Sequence, residues 1–194
     1  MPPIRSLCLY CGSREGDDPA FAEAAAAFGH YCASRQIRLV YGGGGIGLMG
    51  IAARAALAEG GPVLGIIPYH LDRVEVTMQG LTELIVVSSM HERKHRMFLE
   101  SDGFVILPGG IGTLDEFIEI VTWAQLELHD KPIVLVDIEG YWEPLLALIR
   151  HAEARNFAAP GTGRLFATVR TIDELDAAFA IAGSGEKADL PQLF

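Results

Sequence analysis

The chain has 194 residues, half of them apolar and about a fifth charged, which is the composition of an ordinary globular protein rather than a disordered or fibrous one. The formal net charge of −10 argues against a nucleic-acid partner, because affinity for a phosphate backbone is built from clustered Lys and Arg. No apolar run reaches the ~18 residues of a membrane-spanning helix and no signal-peptide core is present, so we expect a cytoplasmic protein that does not insert into membranes.

Short apolar runs alternate along the chain with longer segments of helical period. The runs predict strands at 4–10, 37–41, 62–68, 81–87, 103–108 and 131–137, with a weaker strand at 165–170. The segments predict helices at 18–36, from the glycine run at 42–47 to Glu59, at about 89–101, 112–129 and 140–156, and from Asp173 onward.

Most of the predicted strands are continuous apolar runs, which is typical of a parallel sheet buried on both faces. Strand–helix alternation then predicts an α/β fold, a doubly wound, Rossmann-like parallel sheet with helices on both faces. We expect a single nucleotide-binding domain over 1–183 and a loosely ordered C-terminal tail at 184–194.

The cysteines are Cys8, Cys11 and Cys32. Cys8 and Cys11 have the spacing of half a redox or metal motif, but Cys8 lies in an apolar run and no second C-x-x-C exists. We interpret them as buried thiols at the end of a strand, and an odd number of cysteines fits free thiols in a reducing compartment.

Ligands of doubly wound sheets bind beyond the carboxyl ends of the strands. Three junctions there carry glycine or small polar residues, at 11–13, 42–47 and 108–113. The run at 42–47 fits G-x-G-x-x-G loosely, but no acidic residue stands about 20 positions later, as a dinucleotide site requires. It favours a nucleotide-like ligand, with tight strand–helix packing as the alternative.

The junction Pro108–Glu116 is more specific. Gly110, Gly112 and Thr113 can present N–H and hydroxyl donors to a phosphate at the start of a helix. It is not a Walker loop, because the lysine after the last glycine is missing. Glu116 would stand beside the phosphate, which is unfavourable unless it has a chemical function or a cationic partner, and Arg93 is the candidate partner.

The stretch 90–97 contains H-E-x-x-H, which would place the zinc ligands His91 and His95 one helical turn apart. The longer zinc pattern fails, with Phe98 and Ser101 in its last two places, although Glu116 could still supply a third ligand. On a helix, Arg93 and Lys94 lie in or beside the inward stripe and the histidines flank it. The two cations then either meet an anion or extend their ends to solvent.

M-H-x-R-K at Met90–Lys94 and P-G-G-x-G-T-x-x-E at Pro108–Glu116 together resemble the Lonely Guy (LOG) family of cytokinin riboside 5′-monophosphate phosphoribohydrolases. The similarity extends to 11–13, 41–50, 65–68 and 122–135. The resemblance implies hydrolysis of the N-glycosidic bond of a plain or N6-substituted adenosine 5′-monophosphate to free base and ribose 5-phosphate, with no metal or cofactor.

The resemblance also implies residue roles and an assembly. Arg93 and Glu116 are the implied catalytic pair. The implied substrate-binding residues are Ser13, Gly43, Gly44, Met90, Lys94, Gly109, Gly110, Gly112, Thr113 and Thr122. The family is usually homodimeric, and the apolar face of 117–128 would suit a partner helix. Gln79 stands where plant members carry Glu, so the N6-substituent preference is left open. The competing hypotheses are a non-catalytic nucleotide sensor and a zinc hydrolase using His91 and His95.

Overall fold

The computed structural model describes residues 3–71 and 77–183, and in this part seven strands and six α-helices follow one another. The strands are β1 (Ser6–Tyr10), β2 (Arg38–Tyr41), β3 (Val63–Pro68), β4 (Glu83–Val87), β5 (Gly103–Ile106), β6 (Ile133–Val136) and β7 (Ala167–Val169). The helices are α1 (Pro19–Ser34), α2 (Gly47–Ala58), α3 (Met90–Leu99), α4 (Ile111–Gln125), α5 (Glu143–Ala154) and α6 (Leu175–Gly183). Within these residues no helix is long and apolar enough to cross a membrane.

All seven strands are parallel and lie in the order β4-β3-β2-β1-β5-β6-β7. The chain builds outward from β1 to β4, then returns to the other side of β1 with β5 and builds outward again. The reversal between β1 and β5 opens a crevice at the carboxyl ends of these two strands, where sheets of this type bind their ligands. The predicted doubly wound α/β fold is confirmed.

Helices cover both faces of the sheet because each central strand is apolar on both sides. Leu7 and Leu9 of β1 face the cluster under α1, α2 and α6, whereas Cys8 and Tyr10 face the cluster under α3, α4 and α5. The three cysteines are free and buried, as expected from the sequence. The core therefore consists of two apolar layers separated by the sheet.

Two helix ends differ from the prediction for the same reason. The predicted helix 112–129 ends at Gln125, and Glu127 has a left-handed φ of 57°. The predicted helix 140–156 begins at Glu143, because Glu139 and Gly140 have φ of 49° and 72°. Left-handed backbone cannot continue an α-helix. The predicted tail at 184–194 lies outside the described residues, so its looseness stays a prediction.

Candidate active site

A cleft of about 640 Å³ opens at the carboxyl ends of β1 and β5. The junctions at 11–13 and 108–113 line it, and the start of α2, which follows the glycine run at 42–47, contributes Leu48 and Met49. Of the site residues expected from the sequence, eight line it: Ser13, Met90, Arg93, Gly109, Gly110, Gly112, Thr113 and Glu116. The crevice predicted by the sheet topology is thus the place where most of the motif residues come together.

Gly12 holds the three loops against one another. Its N–H donates to the Pro108 carbonyl at 3.0 Å, and its carbonyl accepts from the N–H of Leu48, at the start of α2, at 3.1 Å. A Cβ on Gly12 would lie 3.4 Å from the Gly109 Cα and 2.9 Å from the Arg14 carbonyl oxygen, closer than packed atoms allow. The floor of the cleft is therefore fixed by backbone contacts that need a glycine at this position.

Arg93 reaches the cleft from α3 and is only 6% exposed. Its Nη2 donates to the Gly42 carbonyl at 3.1 Å, and its Nη1 lies 3.8 Å from the Met90 sulfur. A side chain at Gly42 would occupy the space of the guanidinium, so this glycine makes room for the cation. The buried Nε has no hydrogen-bond partner among the described residues. A desolvated donor of this kind is costly, and a bound acceptor would remove the cost.

The glutamate of the H-E-x-x-H pattern has a structural role at the start of α3. The Glu92 carboxylate accepts from the Ser88 hydroxyl at 2.6 Å and from the Ser88 N–H at 2.8 Å, while Ser89 caps the Glu92 N–H at 3.2 Å. This is a variant of the capping box in which the carboxylate accepts from the residue before the N-cap, and the hydrogen bonds from Ser88 lower the pKa of Glu92. His91 and His95 are exposed, and no three His, Cys, Asp or Glu side chains within 3–71 and 77–183 could hold a metal ion.

Glu116 enters the cleft from the first turns of α4 and is half-buried. It lines the same cavity as Cys11, just after β1, and its charge affects the Cys11 thiol. Burial, and after it the negative charge of Glu116, raise the pKa of Cys11 well above its ordinary value. The carboxylate thus stands near the buried floor of the cleft, in the same cavity as the Arg93 guanidinium.

The remaining wall is the start of α4. The first bond of this helix runs from the Leu114 N–H to the Gly110 carbonyl at 3.0 Å. The N–H groups of Ile111, Gly112 and Thr113 precede it and have no partner within the helix, so they form the positive end of the helix dipole. Such an end binds a phosphate or carboxylate without needing a basic side chain.

A protein-family profile described as "Possible lysine decarboxylase" matches residues 49–179. The chain is 43% identical over 169 residues to the probable cytokinin riboside 5′-monophosphate phosphoribohydrolase LOGL1 of Oryza sativa subsp. japonica, covering 87% of this chain and 76% of the relative. It is also 43% identical over 172 residues to the cytokinin riboside 5′-monophosphate phosphoribohydrolase LOG3 of Arabidopsis thaliana, covering 89% and 80%. The chain belongs to the LOG family.

Solved structures share the fold of this LOG-family chain at low sequence identity. The molybdenum cofactor binding protein of Rippkaea orientalis has a TM-score of 0.70 at 18% identity, covering 93% of this chain and 98% of that one. The molybdenum cofactor carrier protein of Chlamydomonas reinhardtii has a TM-score of 0.68 at 17% identity, with the same coverage. At this identity the likeness concerns the fold alone.

Four residues expected from the LOG resemblance lie outside the lining of the cleft. The Lys94 ammonium lies 3.0 Å from both the Asp115 and the Glu119 carboxylates. Burial lowers the pKa of Lys94, but the hydrogen bonds to the two carboxylates outweigh it, so the pKa is raised. The Thr122 hydroxyl donates to the Ile118 carbonyl one turn earlier in α4, at 2.7 Å.

The other two are Gly43 and Gly44, which contact the segment that precedes β4. The Gly43 carbonyl accepts from the Met78 N–H at 3.1 Å, and Gly44 forms a bridge with Thr77. Gln79, where plant LOG members carry Glu, is exposed and donates to the Thr77 carbonyl at 3.4 Å. It does not line the cleft either.

Sequence reasoning missed Tyr141, which lines the cleft from the junction after β6. That junction, Ile138-Glu139-Gly140-Tyr141-Trp142, carries no glycine-rich or charged motif. The only indication that this junction lines the cleft was its position, because it follows the carboxyl end of the parallel strand β6, and ligands bind at that end of the strands.

Proposed function

We propose that this LOG-family chain hydrolyses the N-glycosidic bond of an adenosine 5′-monophosphate, plain or N6-substituted, to free base and ribose 5-phosphate. One observation carries the proposal: a buried arginine from α3 and a carboxylate from α4 face one cleft that ends at the open N-terminus of α4. The names of the LOGL1 and LOG3 relatives agree with this reaction.

In the proposed reaction, the start of α4 binds the 5′-phosphate through the N–H groups of Gly112 and its neighbours. Binding there places the ribose toward Glu116 and uses interactions remote from the reacting bond for orientation. Met90, Ser13 and the glycines at 109 and 110 complete the walls of the substrate site.

Glycosidic cleavage passes through a state with positive charge on the sugar ring, which a carboxylate stabilises. Glu116 stabilises that positive charge and takes a proton from water as the water oxygen forms its bond to C1′. The C1′–N bond breaks, the base leaves with the bonding pair and takes up a proton from solvent, and Glu116 releases its own proton to solvent and returns to the carboxylate. Arg93, through its unpartnered Nε, binds oxygen atoms of the substrate or orients Glu116.

The description of the matching family profile names a lysine decarboxylase, a reaction in which pyridoxal phosphate would be held by a lysine Schiff base. Lys94 and Lys131 are the lysines of the described part of the chain, and neither lines the cleft. Lys94 is held by two carboxylates, and Lys131 donates to the Phe98 carbonyl at 2.6 Å. The residues do not fit that cofactor, and we favour glycosidic hydrolysis.

We also propose that the chain works as a homodimer in the cytoplasm. Exposed apolar side chains on and just after α4, which include Ile118 and Leu126, support the dimer. Three free thiols support a reducing compartment.

The decisive experiment is an assay of base release from AMP and N6-isopentenyl-AMP by liquid chromatography. We expect Glu116→Gln to lower kcat/KM by roughly 10²–10⁴-fold, the usual range for a positioned acid–base group. Arg93→Lys keeps the charge but loses the planar donor fork, and it should lower kcat/KM by roughly 10–100-fold. Glu23→Gln, an exposed carboxylate on α1, is the matched control and should retain wild-type turnover.

Two results would decide against hydrolysis. Wild-type turnover in both cleft variants would exclude the proposed catalytic pair. Thermal stabilisation by AMP with no base release from any nucleotide in the panel would favour a non-catalytic sensor instead.

A further inference from the structure

The turn between β6 and α5 has an unusual backbone. Glu139 has φ 49° and ψ 28°, and Gly140 follows it with φ 72°. Two successive left-handed residues are uncommon, and a non-glycine residue in this region costs about 1 kcal/mol or more. Strain of this kind persists where the surrounding structure fixes it, and it is found preferentially at functional sites.

Both ends of this turn are fixed in the core. The buried Asp137 carboxylate accepts from the Trp142 N–H at 2.6 Å, and the Asp137 N–H donates to the Val169 carbonyl of β7 at 2.7 Å. The Trp142 ring is itself almost fully buried. The strained turn therefore presents Tyr141, which is 40% exposed, at the cleft between two immobile neighbours.

The Tyr141 ring is held on two sides by other aromatic rings. It makes edge contacts with Phe21 of α1, at a centroid distance of 5.5 Å, and with Trp142, at 4.8 Å. These contacts fix the direction of the phenol. Its hydroxyl donates to the Gly109 carbonyl at 2.6 Å, across 32 positions of the sequence.

This hydrogen bond acts on the loop that leads into α4. In a trans peptide the C=O and the following N–H point in opposite directions, so holding the Gly109 carbonyl also sets the direction of the Gly110 N–H. It also satisfies a carbonyl oxygen that would otherwise be free to turn its negative end toward a bound anion. A cradle of N–H groups binds phosphate best when no acceptor competes at its rim.

We propose that Tyr141 is a positioning residue that fixes the Gly109–Gly110 peptide so that the start of α4 is pre-organised for the 5′-phosphate. This inference rests on the proposed function for the identity of the anion. It assigns no contact between Tyr141 and the reacting atoms.

The test is Tyr141→Phe, which keeps the ring and its packing and removes only the hydroxyl. The matched control is Tyr31→Phe, which removes a hydrogen bond of 2.7 Å to Asp176 between α1 and α6, away from the cleft. Calorimetry with ribose 5-phosphate and with adenine separates phosphate-dependent from phosphate-independent binding. Neither ligand requires turnover.

We expect Tyr141→Phe to raise the Kd of ribose 5-phosphate and the KM of AMP by roughly 3–10-fold, the effect of one lost hydrogen bond, while kcat and the Kd of adenine stay near wild type. Tyr31→Phe should change neither Kd. An unchanged Kd of ribose 5-phosphate in Tyr141→Phe, or an equal rise in Tyr31→Phe, would overturn the inference. If wild-type protein releases no base but still binds ribose 5-phosphate in a Tyr141-dependent way, the proposed function fails and the role of Tyr141 stands.

Discussion

The positions of Arg93 and Lys94, which are adjacent in the sequence, are each set by the residues that surround them. Arg93 is buried because Gly42 has no side chain, and its orientation is set by the Gly42 carbonyl. Lys94, the next residue, lies outside the cleft and joins α3 to Asp115 and Glu119 of α4. Two adjacent cations of one motif therefore have different environments, one in the cavity and one between two helices.

Lys94 is expected to stabilise the first turns of α4 through its two ion pairs. Because its side chain is largely covered, we expect Lys94→Met to lower the free energy of unfolding by about 1 kcal/mol, at the upper end for partly exposed pairs. A double-mutant cycle with Glu119→Gln, measured by urea denaturation, should give a coupling of about 0.5–1 kcal/mol. Additive effects of the two substitutions would mean that the pair contributes no stability.

At the scale of elements, the most extensive helix–helix contact in the described part of the chain is between α1 and α2. Gly29 of α1 lies so near α2 that an added Cβ would meet the Ala52 carbonyl oxygen and would lie 2.7 Å from the Ala55 Cβ. Since α2 begins at the cleft, where a Cβ on Gly47 would collide with the Ser13 carbonyl, this packing also sets the position of a binding loop.

Replacing Gly29 tests this contact. Alanine is the better helix former by about 1 kcal/mol, yet we expect Gly29→Ala to destabilise the protein by about 1–3 kcal/mol because the helices must separate. The control is Ala27→Gly at an exposed position of the same helix, which should cost only the difference in helix propensity. Thermal denaturation followed by circular dichroism measures both. A stabilised Gly29→Ala protein would contradict the close packing.

At the scale of the whole molecule, one group of exposed apolar side chains lies along and just after α4. Ile111 at 82% exposure and Ile118 lie on α4, and Leu126 and Leu128 follow that helix, the latter at 66%. A groove along the same helix is lined by the apolar Ile111, Leu114 and Ile118 and by the carboxylates of Asp115 and Glu119. A face of this kind is typical of a protein interface.

The proposed homodimer can be tested by light scattering after size exclusion. The chain mass is 20.9 kDa, and we expect the wild type to elute at twice this value. Ile118→Asp places a charge in the proposed interface and should shift the protein toward the monomer. Ile181→Asp, at an exposed isoleucine on α6 away from this face, should not change the mass. A wild-type mass of one chain would refute the dimer.

The sequence was sufficient to predict the strands because most of them are continuous apolar runs, and the doubly wound parallel sheet followed from their alternation with helices. It also placed Arg93 and Glu116 at the ligand-binding edge of the sheet, since both lie in motifs at strand–helix junctions.

The sequence was insufficient to predict the contacts of Lys94, because the choice between facing a ligand and facing Asp115 depends on helix packing. Tyr141 was missed for a similar reason: its partner, the Gly109 carbonyl, is a backbone atom that carries no residue signature. The ends of α4 and α5 depend on glutamates in left-handed conformations, and glutamate has no preference for them.

The burial of all three cysteines has a consequence for experiments on this protein. Cys8, Cys11 and Cys32 lie in the core, and burial raises the pKa of each thiol, so little thiolate is present at neutral pH. Maleimide dyes and spin labels, which react with thiolate, will find few targets on the folded chain. A single cysteine introduced on the surface, for example at the exposed Ala27, can therefore be labelled without removing the natural ones.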